Sequence, residues 1–176
     1  MTTAFERLIH SQGKSGNKFL GFDIGIRNNL GWAILNSDGS LHLSGCWNLG
    51  DERQSQESRL ELLASYCVDL FRRYGLEITA VGIERPWVGK SPQTALTLGW
   101  VAGTIFGIAC TYGKQPFRIQ PMEAKKAFTD NGKASKSQVL KMAQLLKSDI
   151  TSEDEADAIA VATATRLRTI KEAMGR

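Results

Sequence analysis

Two apolar segments of this chain run into acid, and an alanine-rich segment begins with it. KFLGF ends at Asp23, TAVGI ends at Glu84, and Asp154 and Asp157 open DEADAIAVATA. A carboxylate buried among apolar neighbours costs several kcal/mol unless it is paired or binds a cation. Acids placed where buried structure stops therefore constrain the fold, because their strands and helix must bring them to a shared site. The economical solution is a common divalent-metal site, and that chemistry points to phosphodiester bonds. His10 and His42 are the only histidines, so such a metal is a hard cation held by oxygen.

The remaining pattern says how the acids could meet. Residues Met1 to Asn17 are polar, rich in Ser and Gly, and aperiodic, and they read as a flexible N-terminal arm ahead of one domain spanning 18–176. KFLGFDI, LGWAILN and SLHLSGCWNL are short strands separated by the turn residues Asn28–Asn29 and Asp38–Gly39, as in an antiparallel meander. Leu60, Leu63, Cys67, Leu70, Phe71 and Tyr74 recur at helical spacing up to Gly75. ITAVGIE is a buried strand, a helix covers Gln93 to Tyr112, and PFRIQP is a further short strand. EAKKAFT and SKSQVLKMAQLLK form helices around the loop Asp130–Ala134. The last helix starts at Ser152, with Glu155 at capping-box spacing. This order predicts an α/β fold with a mixed five-stranded sheet and helices on both faces.

Asp154 and Asp157 are three residues apart, so they share a helix face, and the helix dipole favours their ionised forms. Asp157 is the one charge from Ala156 to Thr165 and needs a partner; Glu153 reads as a solvated first-turn acid. The net charge of +4 and pI of about 9.0 favour an anionic partner, with Lys125, Lys126, Lys133, Lys136, Lys141 and Lys147 crowding one stretch. Cys46, Cys67 and Cys110 are unclustered and odd in number, which fits the reduced, partly buried thiols of an intracellular, cytoplasmic protein. No apolar run is expected to reach the roughly 20 residues that cross a bilayer, so no membrane partner is expected. Gly99, Gly103 and Gly107 form a small-residue stripe that packs either on its own sheet or on the same helix of a second subunit. Trp32, Trp47 and Trp100 lie inside periodic segments and read as core or interface.

GFDIGIRNNLGWAIL by itself fits two families: RNase H-like nucleases, and the phosphate-binding hairpin of actin, sugar kinase and Hsp70 ATPases, which need two such lobes. Taken in order, DIG, IERPW, SPQTALTLGWVAG, PMEAKKAFTDNGKASKSQV and DEADAIAVA resemble RuvC-type Holliday junction resolvases over nearly all of the chain beyond the arm. The resemblance implies an RNase H-like fold and a dimer that resolves four-way (Holliday) junctions by paired symmetric nicks, using Mg²⁺. Two ions per site are expected, with Mn²⁺ able to substitute. Residue by residue, Asp23, Glu84, Asp154 and Asp157 match the metal-binding acids, and Lys136 and Lys125 match the two functional lysines. Trp87 falls on the aromatic that stacks near the junction centre, Arg27 on a basic position, and Lys126 and Lys133 read as phosphate contacts. The dimer would form through the Gln93–Tyr112 helix, and a branch-migration helicase is a possible partner. The resemblance also leaves room for a nuclease of other branched DNA or RNA–DNA hybrids, and for a non-catalytic DNA-binding relative. Asp130, standing where the family commonly has Gly, is a departure that adds negative charge beside DNA.

Overall fold

The computed structural model describes residues 17–25, 29–51, 53–86 and 91–175. The elements follow the expected order: β1 (Lys18–Asp23), β2 (Asn29–Leu35), β3 (Leu41–Asn48), α1 (Gln56–Tyr74), β4 (Ile78–Glu84), α2 (Pro92–Thr111), β5 (Phe117–Ile119), α3 (Pro121–Thr129), α4 (Lys136–Leu146) and α5 (Glu153–Met174). The strands form one sheet in the order β3-β2-β1-β4-β5, with β1, β2 and β3 antiparallel and β4 and β5 parallel to β1 and to each other. The β2–β3 connection is the tight turn expected from its sequence. Gly39 takes φ +93°, and the Ser40 N–H donates to Asp38 Oδ1 at 2.8 Å.

Alternation along β1 divides the core. Leu20 and Phe22 enter a cluster beneath α1 and α2 with Leu63, Phe71, Leu98 and Ile105. Gly21 and Asp23 point the other way, toward α5, which lies among Ile119, Ala124, Val139 and its own alanines. The helix sits unusually near the sheet because the strands beneath it lack side chains. A methyl group built on Gly21 would land on the backbone of Ala158 and Ala162, 2.6 Å from the Ala158 carbonyl oxygen. One on Gly31 would overlap the Asp154 carbonyl, and one on Gly82 the Thr165 hydroxyl. Gly21 and Gly82 are register partners, so two of these gaps lie side by side on neighbouring strands. Ala156, Ala158, Ala160 and Ala162 fill the contact from the helix side.

Three readings need correction. The helix α2 starts one residue before Gln93, where Pro92 follows the cap Ser91, and ends at Thr111. It is also long and apolar enough to cross a membrane by length and composition, contrary to the expectation that no run would be. Scattered Thr and Gly residues hid a 20-residue segment that carries no charge at all. Its inner face is spent on the core through Leu98, Val101, Ile105 and Ala109. Finally, Ser152 caps α5 by accepting from the Glu155 N–H at 3.3 Å, but Glu155 does not complete a capping box. Its carboxylate instead accepts from the Ser44 hydroxyl at 2.6 Å, tying the start of the helix to β3.

Of the tryptophans, Trp32 and Trp47 pack in a tilted pair with ring centroids 5.6 Å apart beside the core, whereas Trp100 is 42% exposed on α2. Cys67 is buried, Cys46 half-buried and Cys110 exposed, and none is paired. The arm lies outside the described residues up to position 16.

Gly21→Ala should lower stability by about 1–3 kcal/mol, since the added methyl meets helix backbone that cannot rotate away. At about 2–4 °C per kcal/mol for a chain of this size, the melting temperature should fall by about 2–12 °C.

Candidate active site

Packing α5 on the glycine track delivers its first turns to the ends of β1 and β4. Phe22 pairs with Ile83, so Asp23 and Glu84 leave the parallel strands side by side. Both share the parity of Gly21 and Gly82, and therefore face α5. Together with Asp154 and Asp157 they line one cleft of about 780 Å³, which Lys125, Lys136 and Glu153 also border. Four acids from three separate elements thus meet at one place.

Their electrostatics confirm that they sense each other. Asp23 is only 6% exposed, and its carboxyl is held well above the ordinary range. Burial is the main cause, followed by its hydrogen bond to Glu84 and the nearby charges of Glu84 and Asp154. Asp157 is pushed up to about 6 by burial and by Asp23, with Lys136 and Lys125 opposing. The helix dipole, which the sequence analysis expected to keep this acid ionised, is outweighed. Among the described residues Lys136 is the cation paired with these charges, 3.8 Å from Asp157 Oδ2 and 3.4 Å from Glu153 Oε2. Partial burial pulls its ammonium down, but Asp157, Glu153 and Asp154 outweigh that and raise it.

The donor set suits a hard cation: only carboxylate oxygens, one of them on a nearly buried side chain among other acids. Among the described residues, no three His, Cys, Asp or Glu side chains lie close enough to ligate one ion as they stand. The acids form a collar around the cleft rather than a closed cage.

The lysines divide. Lys125 and Lys136 border the cleft, and the Lys125 ammonium also donates to the Ala134 carbonyl at 2.9 Å, fixing the loop before α4. Lys133 is exposed and Lys126 turns away. The Lys126 ammonium donates to Asp130 Oδ1 at 2.6 Å, and the side chain lines a separate groove with Arg168 and Lys171. Asp130 itself caps α3 with φ +58°, a left-handed conformation that Gly adopts more easily. Arg27 and Trp87 lie outside the described residues. Glu153 is the exposed first-turn acid the sequence suggests, but it also borders the cleft and pairs with Lys136, which was not expected. Its spacing of four from Asp157 placed both on one helix face, and that was the available signal.

A five-stranded mixed sheet, helices on both faces and acids at adjoining strand ends define an RNase H-like protein with an acid-lined cleft. The family described as crossover junction endodeoxyribonuclease RuvC matches residues 19–165. A protein of that name from Roseiflexus sp. is 31% identical over 84% of this chain and 89% of its own length. Another from Geotalea uraniireducens is 30% identical over 82% and 85%. The chain belongs to the RuvC family of crossover junction endodeoxyribonucleases. The fold agrees with Thermus thermophilus RuvC in complex with Holliday junction substrate, at a TM-score of 0.71 and 20% identity over 90% of this chain and 96% of that one. It agrees less closely with the yeast mitochondrial Holliday junction resolvase Ydc2, at 0.59 and 13% over 97% and 88%.

The raised Asp157 has a signed consequence for stability. Between about pH 4 and about pH 6 the folded protein keeps a proton that the unfolded chain has released, so this group makes stability fall as pH rises. Asp157→Asn removes the charge. In chelator its melting temperature should exceed that of the parent by more at pH 7.5 than at pH 5; an equal difference at both would show that Asp157 does not titrate in this window.

Proposed function

We propose that this protein is a metal-dependent, structure-selective DNA endonuclease that resolves four-way (Holliday) junctions by paired symmetric nicks. The observation that carries this reading is the meeting of Asp23, Glu84, Asp154 and Asp157 in one cleft, with Lys125 and Lys136 at its border. Family membership and the relatives' printed names support the choice of substrate.

Asp23, Glu84, Asp154 and Asp157 hold divalent ions, two per site, with Mg²⁺ the natural one and Mn²⁺ able to replace it. Bound there, such ions supply Lewis acidity and an activated water at neutral pH. A cation held there would offset the repulsion among these acids and favour the ionised carboxylates of Asp23 and Asp157. Lys136 stands over the cleft, where its ammonium offsets charge gathering on the phosphate as the bond breaks. Glu153 shares that ammonium with Asp157 and keeps it from closing on the metal-binding acid alone. Lys125 and Arg27 position the backbone, Trp87 stacks on a base near the junction centre, and Lys133 takes a phosphate outside the cleft. Lys126 does so only when its pairing with Asp130 opens.

Two copies pair through the outward face of α2, which leaves Leu96 47% exposed beside Trp100, and where a methyl group built on Gly99, Gly103 or Gly107 would meet nothing within 4 Å. An isologous pair gives two cleavage sites related by a two-fold axis, matching the symmetry of a four-way junction. The compartment is the cytoplasm, and a branch-migration helicase is the partner that would deliver junctions.

Asp23→Asn and Asp157→Asn should each reduce cleavage of a labelled four-way junction by at least about 10³-fold while binding it as tightly as the parent. In the parent alone, Mg²⁺ should also raise the melting temperature. Mg²⁺-dependent nicking by both variants would exclude this site. Flaps, duplexes or RNA–DNA hybrids cut faster than junctions would exclude the substrate. Trp87→Ala should slow cleavage with little change in melting temperature. Gly107→Arg adds bulk where the protomer has open space. It should give monomers by light scattering at an unchanged melting temperature, and a persistent dimer would place the interface elsewhere.

A further inference from the structure

Beside the acidic cleft lies a second depression, about 420 Å³ in volume, between α2 and the β4–β5 edge of the sheet. It shares Glu84, Arg85 and Pro86 with the cleft, so the two adjoin at the end of β4. Its α2 wall is Gly99, Ala102, Gly103 and Phe106, and its sheet wall includes Arg118.

The register explains why two arginines meet there. Arg118 pairs with Ile83, whose side chain belongs to the core beneath α1 and α2, so Arg118 faces that same side. The Arg85 N–H donates to the Ile119 carbonyl at 2.8 Å, which extends the pairing one residue past Glu84 and returns Arg85 to the face of Ile83. Both arginines are exposed, and among the described residues neither forms an ion pair. The one carboxylate in the groove is Glu84, at its junction with the cleft. On the opposite wall Gly99 and Gly103 add no side chain beside Ala102 and Phe106, so a backbone can come close at those two positions.

We infer that this groove carries one DNA strand away from the cleft, with Arg85 and Arg118 each holding a backbone phosphate. The inference rests on the reading of the protein as a junction nuclease and names a part of its binding surface. Charge complementarity and adjacency to the cleft select a nucleic-acid strand as the occupant: guanidinium forks match phosphate oxygens, and a strand leaving a scissile phosphate must pass over one rim of the cleft. Gly99 and Gly103 also belong to the outward face of α2. A strand in the groove therefore heads toward the place where a second copy would sit.

The test uses the full chain and a fluorescein-labelled four-way junction in Ca²⁺, with anisotropy measured from 50 to 200 mM salt. The parent, Arg118→Ala, the Arg85→Ala/Arg118→Ala double variant and Arg73→Ala are compared. Arg73 is an exposed arginine in the last turn of α1, which leads to the opposite end of β1, and it serves as a charge-matched control. The double variant should bind about 10-fold more weakly, and its plot of log affinity against log salt should be shallower by about 1.8. Arg73→Ala should match the parent. In Mg²⁺, Arg118→Ala should raise KM at unchanged kcat, and Arg118→Lys should restore the salt slope. An unchanged affinity and slope in the double variant, or an equal loss in Arg73→Ala, would overturn the groove assignment while leaving the nuclease reading intact. A parent protein that does not prefer junctions over duplex would overturn the functional reading and this inference with it.

Discussion

Contact between the backbone of α5 and the centre of the sheet is the constraint on which the site depends. Helix and sheet can approach this closely only where neither side presents bulk, and here Gly21, Gly31 and Gly82 face the alanines of α5 and its Thr165. Such packing maximises close van der Waals contact and tolerates little added volume. It also fixes where the helix begins. Gly31 lies under the Asp154 carbonyl, and Ser44 holds Glu155, so the acidic first turn has one available position. Shift the helix outward by one methyl group, and Asp154 and Asp157 leave the strand ends that carry Asp23 and Glu84.

That precision gathers groups that repel one another. Burial and neighbouring acids hold Asp23 and Asp157 above the usual carboxylate range, and Lys136 offsets only part of the accumulated charge. A site of this kind is unfavourable for folding in proportion to the charge it brings together. The apolar contacts on both faces of the sheet must supply the difference. Perturbed carboxylates in an open cleft are the expected mark of a place kept for chemistry rather than for stability.

The two faces of α2 show a similar division of labour. Its inner side chains complete the core beneath the sheet, while Leu96, Trp100 and the glycines remain outside. An uncharged helix half-covered by its own domain is a surface waiting for another, and its flank toward β5 borders a groove rimmed by arginine.

Much of this was legible in the residues. Period-two and period-3.6 patterns gave the order of elements, because local hydrophobic spacing reflects which face each segment buries. Asp23, Glu84 and Asp157 stood out because each is a lone charge at the end of, or within, an apolar run. The alanines of the last helix announced a close approach without saying to what. Only the tertiary structure decided the rest. Strand order placed Glu84 beside Asp23, and register turned Arg85 and Arg118 to one face. Lys126 went to Asp130 while Lys136 joined Glu153 and Asp157. A sequence fixes what each residue can offer through its neighbours along the chain. Which charges share a low-dielectric space depends on contacts between residues far apart in sequence, and those exist only once the helix has settled on the sheet.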